Sequence, residues 1–281
     1  MKKGINFWSF ANGTTVKEAM SLAKAAGFDG IELALGEVGL VGMDVPGAGK
    51  EAKKMAEDIG IELPSLACGQ CWDYLLTSCD TDIRNKAKDL SRRQADMAAE
   101  IGADTILVLA GAVGVDFLPD GGGDLLPYDE AYGISLESLE ELAVYAEKVK
   151  INFAVENVWN KFLLSPIEFR DFIDKIGSEY VGCYFDVGNV ILTGYPEQWI
   201  RILGKRIKKV HFKDYRRDPG GFNCFVDLLS GDVNYPAVIE ALESVGYDDY
   251  CTAEMIPNYK YYNSQTIFNA SASMDRILKK K

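Results

Sequence analysis

The stretch Lys209-Val210-His211-Phe212-Lys213-Asp214 carries the only histidine of the chain between two apolar residues and then turns charged. An apolar run that ends this way reads as a buried strand whose last residues reach a polar mouth. Three other segments repeat the arrangement. One ends Phe153-Ala154-Val155-Glu156-Asn157, one runs Cys183-Tyr184-Phe185-Asp186-Val187-Gly188-Asn189, and one ends Cys251-Thr252-Ala253-Glu254-Met255.

Outward from these segments the chain alternates strand and amphipathic helix. Strands are expected at 4–9, 28–35, 61–67, 104–110, 152–156, 181–185, 207–212 and 250–254. Helices are expected at 14–26, 50–59, 81–101, 135–149, 166–176, 197–203, 235–245 and 265–279, with Gly27, Gly60 and Gly102 stopping three of them. Strands that alternate with helices imply an α/β fold with a parallel sheet. Eight such units over 281 residues predict a single (β/α)8 TIM barrel, with residues 1–281 as one domain. The competing doubly wound open sheet is weakened because no Gly-x-Gly-x-x-Gly follows the first strand and no Walker loop occurs. Two connections, 36–49 and 111–133, are long for a compact domain and fall after strands, on the side where barrel active sites are built.

A formal charge of −12 disfavours a nucleic-acid partner. It leaves room for a small phosphosugar in a locally positive pocket. No apolar run approaches the roughly 20 residues of a membrane span. The opening Met1-Lys2-Lys3-Gly4-Ile5-Asn6-Phe7 lacks a signal-peptide core, so a cytoplasmic protein without a membrane partner is expected. The six cysteines read as reduced thiols. Cys68-Gly69-Gln70-Cys71 has no second pair to complete a zinc site, and a place in the pocket wall beside Trp72 is the expectation.

Burying a carboxylate without a partner costs several kcal/mol. A single carboxylate at a strand end is often a helix cap or an ion-pair partner. Four consecutive strands that deliver Glu156, Asp186, His211 and Glu254 to one mouth need a shared reason, and one divalent cation supplies it. Three carboxylates and an imidazole suit Mn, Co, Mg or Zn. Trp8, Trp159, Phe7, Phe162 and Glu32 lie near strand ends or in strands, where aromatic faces can shape a carbohydrate pocket.

Glu156, Asp186, His211 and Glu254 resemble the metal quartet of the xylose-isomerase-like sugar isomerase/epimerase superfamily. Within it, the chain looks like the D-tagatose 3-epimerase and L-ribulose-5-phosphate 3-epimerase groups. Gly231-Asp232-Val233-Asn234-Tyr235, Ala241-Leu242, Gly246-Tyr247 and Ala253-Glu254 carry the likeness further. The resemblance implies a metal-dependent isomerase acting on a ketose or its phosphate. Glu156 and Glu254 would both hold the metal and exchange protons with the substrate through a metal-stabilised enediolate, while Asp186 and His211 fix the ion. It also implies substrate contacts. Asn189 stands where the tagatose epimerases carry a histidine. Arg217, beside Arg216, stands where ketose epimerases carry an arginine. Lys213, Trp8 and Trp159 complete the candidate set. A cyclitol or sugar-acid dehydratase, and a non-catalytic sugar-binding protein, share the barrel and remain alternatives. A nuclease of the endonuclease IV type would need several histidines. The oligomeric state is open, a homo-oligomer included.

Overall fold

Eight short runs of buried residues pair edge to edge, and the sheet closes on itself. The computed structural model describes residues 1–36 and 45–279. In chain order the elements are β1 (Lys2–Asn6), α1 (Val16–Ala25), β2 (Gly30–Leu35), α2 (Ala48–Ile59), β3 (Leu66–Cys68), α3 (Thr81–Ile101), β4 (Thr105–Val108), α4 (Tyr128–Val149), β5 (Asn152–Glu156), α5 (Pro166–Ile176), β6 (Val181–Asp186), α6 (Pro196–Leu203), β7 (Ile207–Phe212), β8 (Asp214–Tyr215), β9 (Phe225–Val226), α7 (Tyr235–Ser244), β10 (Tyr250–Ala253) and α8 (Asn263–Ile277). The closed order is β1-β10-β7-β6-β5-β4-β3-β2, all parallel, so the predicted (β/α)8 barrel is present. Among the described residues no helix is long and apolar enough to cross a membrane.

Helix α5 shows how the sequence makes the outer layer. Ser165 caps it by accepting the Glu168 N–H at 3.2 Å, Pro166 opens it, and Gly177 ends it at a left-handed φ of 73°. Phe169, Phe172, Ile173 and Ile176 recur at helical spacing and bury one face. Truncating Phe172 to alanine would cost about 3–5 kcal/mol.

Register aims the site residues. Side chains alternate in and out along a strand. Asp186 on β6 pairs with His211 on β7, and Thr252 on β10 pairs with His211, so these three share an orientation. Glu156 on β5 pairs with Tyr184, two residues before Asp186. Glu254 follows Thr252 by two. Asn6 on β1 pairs with Glu32 on β2. A register shift between Cys183 and Tyr184 passes over Lys208, after which Lys209 and His211 both align with the inward row.

Several expected boundaries move; the third strand, expected at 61–67, is Leu66–Cys68. The first strand is Lys2–Asn6 rather than 4–9, because Lys3 is buried against Ser271 and Asp275, 2.9 Å away at the serine, and 7–9 form a 3-10 turn. Helix α4 begins at Tyr128, not 135: Pro127 and the acidic Asp129 and Glu130 start it earlier. The excursion expected at 111–133 is therefore shorter and contains a 3-10 turn at Pro119–Gly122. The excursion expected at 36–49 falls mainly on residues 37–44, outside the described residues. The antiparallel pair β8–β9 was not foreseen; two-residue strands leave no periodic signal.

Candidate metal centre

The ends of β5, β6, β7 and β10 bring Glu156, Asp186, His211 and Glu254 together, each offering one ligand atom within 4.8 Å of the others. All four are withdrawn from solvent, with exposures of 9%, 0%, 0% and 4%. His211 Nδ1 lies 3.5 Å from Glu156 Oε1 and 3.9 Å from Glu254 Oε2, and it is buried without a hydrogen-bond partner. Asp186 divides its carboxylate. Oδ1 accepts the Asn189 N–H at 2.9 Å and caps the turn, while Oδ2 accepts no hydrogen bond and faces Lys213 Nζ at 3.2 Å. The Lys213 ammonium also salt-bridges Glu254 Oε2.

Behind His211 stands a residue whose role was missed. Glu32 is fully buried, and its Oε1 lies 2.9 Å from His211 Nε2. Asn6 Nδ2 donates to the same oxygen at 2.5 Å. Ser65 and Tyr184 hydroxyls each donate to Oε2 at 2.6 Å. An ionised carboxylate only accepts, so Nε2 carries a proton, and Nδ1 is the nitrogen left facing the quartet, its lone pair available to a metal that displaces the second proton. This is how second-layer carboxylates set the ligating nitrogen of a histidine. A carboxylate inside the otherwise apolar Gly30-Ile31-Glu32-Leu33-Ala34-Leu35 was the available signal, because such a group needs partners.

The electrostatics describe a site with more carboxylates than cations. Burial pushes Glu156 up to about 7; His211 opposes this and the Glu254 charge adds to it. Burial likewise raises Asp186, with Lys213 opposing. Burial disfavours a charged His211, but the Glu32 and Glu254 carboxylates overcome it and hold it well above the usual histidine range. Burial also opposes the Lys213 charge, and Asp186 and Glu254 outweigh it. Four carboxylates, counting Glu32, thus face one lysine and one imidazole. An orphaned buried Nδ1, a carboxylate oxygen without a hydrogen bond and a mixed O/N donor set fit a divalent cation.

The other candidates are dispersed around this core. Asn189 is buried, but its amide donates to the Asn157 carbonyl at 3.0 Å. Trp159 Nε1 donates to the Asn189 carbonyl at 2.9 Å. Trp8 sits in the 3-10 turn after β1, its backbone N–H donating to Asn6 Oδ1 at 2.7 Å. Arg217 Nε donates to the Ile191 carbonyl at 2.9 Å, and its guanidinium lies over the Tyr195 ring. Asn157, also missed, ties β5 to β6. It donates to the Asp186 carbonyl and accepts from the Asp186 N–H, both at 2.8 Å. Cys68 and Cys71 are not joined by a disulfide, and the Cys71 thiol donates to the Cys68 carbonyl.

Aromatic rings link the loops at the same end of the barrel. Trp72 meets Phe117 edge-on at 5.0 Å, and Phe117 stacks on Phe222 at 5.2 Å. Trp159 contacts both Phe222 and Phe225. These residues come from the loops after β3, β4, β5 and β8, and from β9.

Comparison with known proteins follows the same line. The Escherichia coli (strain K12) protein called "Putative L-ribulose-5-phosphate 3-epimerase SgbU" is 24% identical over 263 residues, covering 90% of this chain and 87% of its own. The 2-epi-5-epi-valiolone 7-phosphate 2-epimerase of an Actinoplanes species is 26% identical, covering 77% of this chain and 74% of its own. The solved structure of D-psicose 3-epimerase with D-tagatose from Clostridium cellulolyticum H10 superposes with a TM-score of 0.78 at 19% identity, covering 99% of each chain, a likeness of fold. These relatives and this neighbour carry the names of epimerases, which are isomerases. The family model described as "Xylose isomerase-like TIM barrel" matches residues 20–276, and the chain belongs to that family.

Proposed function

We propose that this chain is a divalent-metal-dependent epimerase of a ketose or ketose phosphate, in which one of Glu156 and Glu254 takes a proton from the substrate and the other returns one to it. The observation that carries the reading is the quartet itself, with a buried Nδ1 that lacks a partner and is aimed by Glu32. Glu156, Asp186, His211 through Nδ1, and Glu254 would hold the cation. When bound, a cation of this class supplies the Lewis acidity that makes a proton beside a carbonyl removable by a carboxylate. Manganese is one of four ions the donor set suits, with cobalt, magnesium and zinc.

The chain's own residues supply the rest. In the barrel order β10-β7-β6-β5, the strands of Asp186 and His211 lie between those of Glu254 and Glu156. The two glutamates therefore reach the mouth from strands three places apart around the barrel. Inverting a carbon centre needs a proton taken from one face and returned on the other, and this placement suits that task. Lys213, Asn189, Trp159, Trp8 and Arg217 are the proposed substrate contacts. Lys213 has the strongest support, since its ammonium already lies within the quartet.

The test is epimerisation of a panel of free and phosphorylated ketoses in deuterated water with added Mn²⁺. One deuterium at the inverted carbon is expected. Loss of water with a new ultraviolet chromophore would point to a dehydratase, and binding without turnover to a non-catalytic protein.

A further inference from the structure

We propose that Lys213 is a resident counter-cation that sets how tightly the quartet holds its divalent metal. The inference rests on the metal reading above and concerns one residue's effect on it. Lys213 Nζ lies 3.2 Å from Asp186 Oδ2 and salt-bridges Glu254 Oε2, so it shares two of the four proposed ligands. The lysine is 9% exposed, which denies it bulk water as an alternative partner.

Its place is imposed from several directions. The ammonium sits over the Phe225 ring at 5.0 Å. Its backbone carbonyl accepts from the Tyr235 hydroxyl at 3.2 Å. A Cβ at Gly188 would come within 2.8 Å of the Lys213 Cβ and carbonyl oxygen, so the turn after β6 closes over Lys213 only with glycine there. The next residue, Asp214, is clamped by four backbone N–H groups. Those of Tyr215 and Val233 donate to Oδ1 at 2.9 and 3.2 Å, and those of Leu229 and Gly231 to Oδ2 at 2.9 and 3.1 Å. The segment that carries Lys213 is thus pinned on both sides.

A fixed ammonium among carboxylates acts in two opposing ways. It relieves their mutual repulsion when no metal is bound. It also repels a dication that uses the same carboxylates, and in a buried site this repulsion is poorly screened. Lys213 therefore stabilises the metal-free protein and weakens metal binding.

Equilibrium dialysis and calorimetry with Mn²⁺ alone test this on the 281-residue chain. Lys213→Met should bind one Mn²⁺ roughly tenfold or more tightly than the unaltered protein. Its melting temperature should be lower without Mn²⁺ and rise further on adding it. Lys213→Arg, which keeps the charge, should stay near the unaltered affinity. Lys213→Gln replaces the methionine variant if that one does not fold. Equal or weaker Mn²⁺ affinity in the neutral variants, with one ion still bound by the unaltered chain, overturns the role of Lys213 and leaves the metal reading standing. No Mn²⁺ bound by any of them overturns both.

Discussion

Lys209 and Lys213 lie four residues apart on either side of His211, and they meet opposite surroundings. Lys209 points to the floor of the barrel, where its ammonium bridges Asp104 at 3.0 Å and Asp249 at 2.6 Å. Two cut-off charges would be costly there, but both aspartates keep much of their surface in water, with side-chain exposures of 62% and 40%. The floor is a closed account of charge. At the mouth, Lys213 faces an excess of buried carboxylates and a histidine nitrogen without a partner. A lysine that completes its surroundings is structural. A lysine that leaves them incomplete marks a place prepared for another ion.

The sharpest way to break this contrast is at the glutamates of the mouth. Glu254→Gln and Glu156→Gln should each lower epimerisation by about 10²–10⁴-fold. Circular dichroism should show both variants folded. Normal turnover in both would remove the two-glutamate mechanism.

The next effect in size concerns His211. Glu32→Gln keeps the volume but replaces the carboxylate opposite Nε2, and it should weaken Mn²⁺ binding by about 10–100-fold. Unchanged affinity would show that Glu32 does not set the imidazole's tautomer.

The floor should respond differently. Lys209→Met should cost about 1–2 kcal/mol of stability in denaturant unfolding, a modest figure because the two aspartates it leaves are partly solvated. Mn²⁺ affinity should not change. A fall in affinity comparable to that of Glu32→Gln would erase the distinction between floor and mouth.

The smallest effect is expected from the aromatic rings above. Phe222→Ala removes the stack on Phe117 and should cost about 1 kcal/mol. Phe222 is an exposed residue, so the loss should appear in thermal melts with metal affinity intact.

The quartet was legible in the sequence because each member ends an apolar run, and a strand end is a place a reader inspects. The barrel was legible for a related reason: helix-stopping glycines and buried strands recur along the whole chain. Glu32 was seen in its strand but its task was not. It lies in mid-strand, and its partners Ser65, Tyr184 and His211 are 33, 152 and 179 residues away. Nothing local links residues so far apart. The start of α4 was hidden differently. Gly133 in its second turn suggested a loop, whereas the fold keeps that glycine within the helix. Arg217 was singled out by its place after His211 alone, and its contacts with the Ile191 carbonyl and the Tyr195 ring, 26 and 22 residues away, had no local signal.

One measurement bears on the central claim more directly than any variant. Crystals grown with Mn²⁺ and measured on both sides of the manganese absorption edge should show one anomalous peak per chain, bonded to Glu156, Asp186, His211 Nδ1 and Glu254. Bond lengths near 2.0–2.3 Å, roughly those of oxygen and nitrogen ligands, are expected. A quartet without a peak at saturating Mn²⁺, with Lys213 still seated on Asp186 and Glu254, would contradict the account.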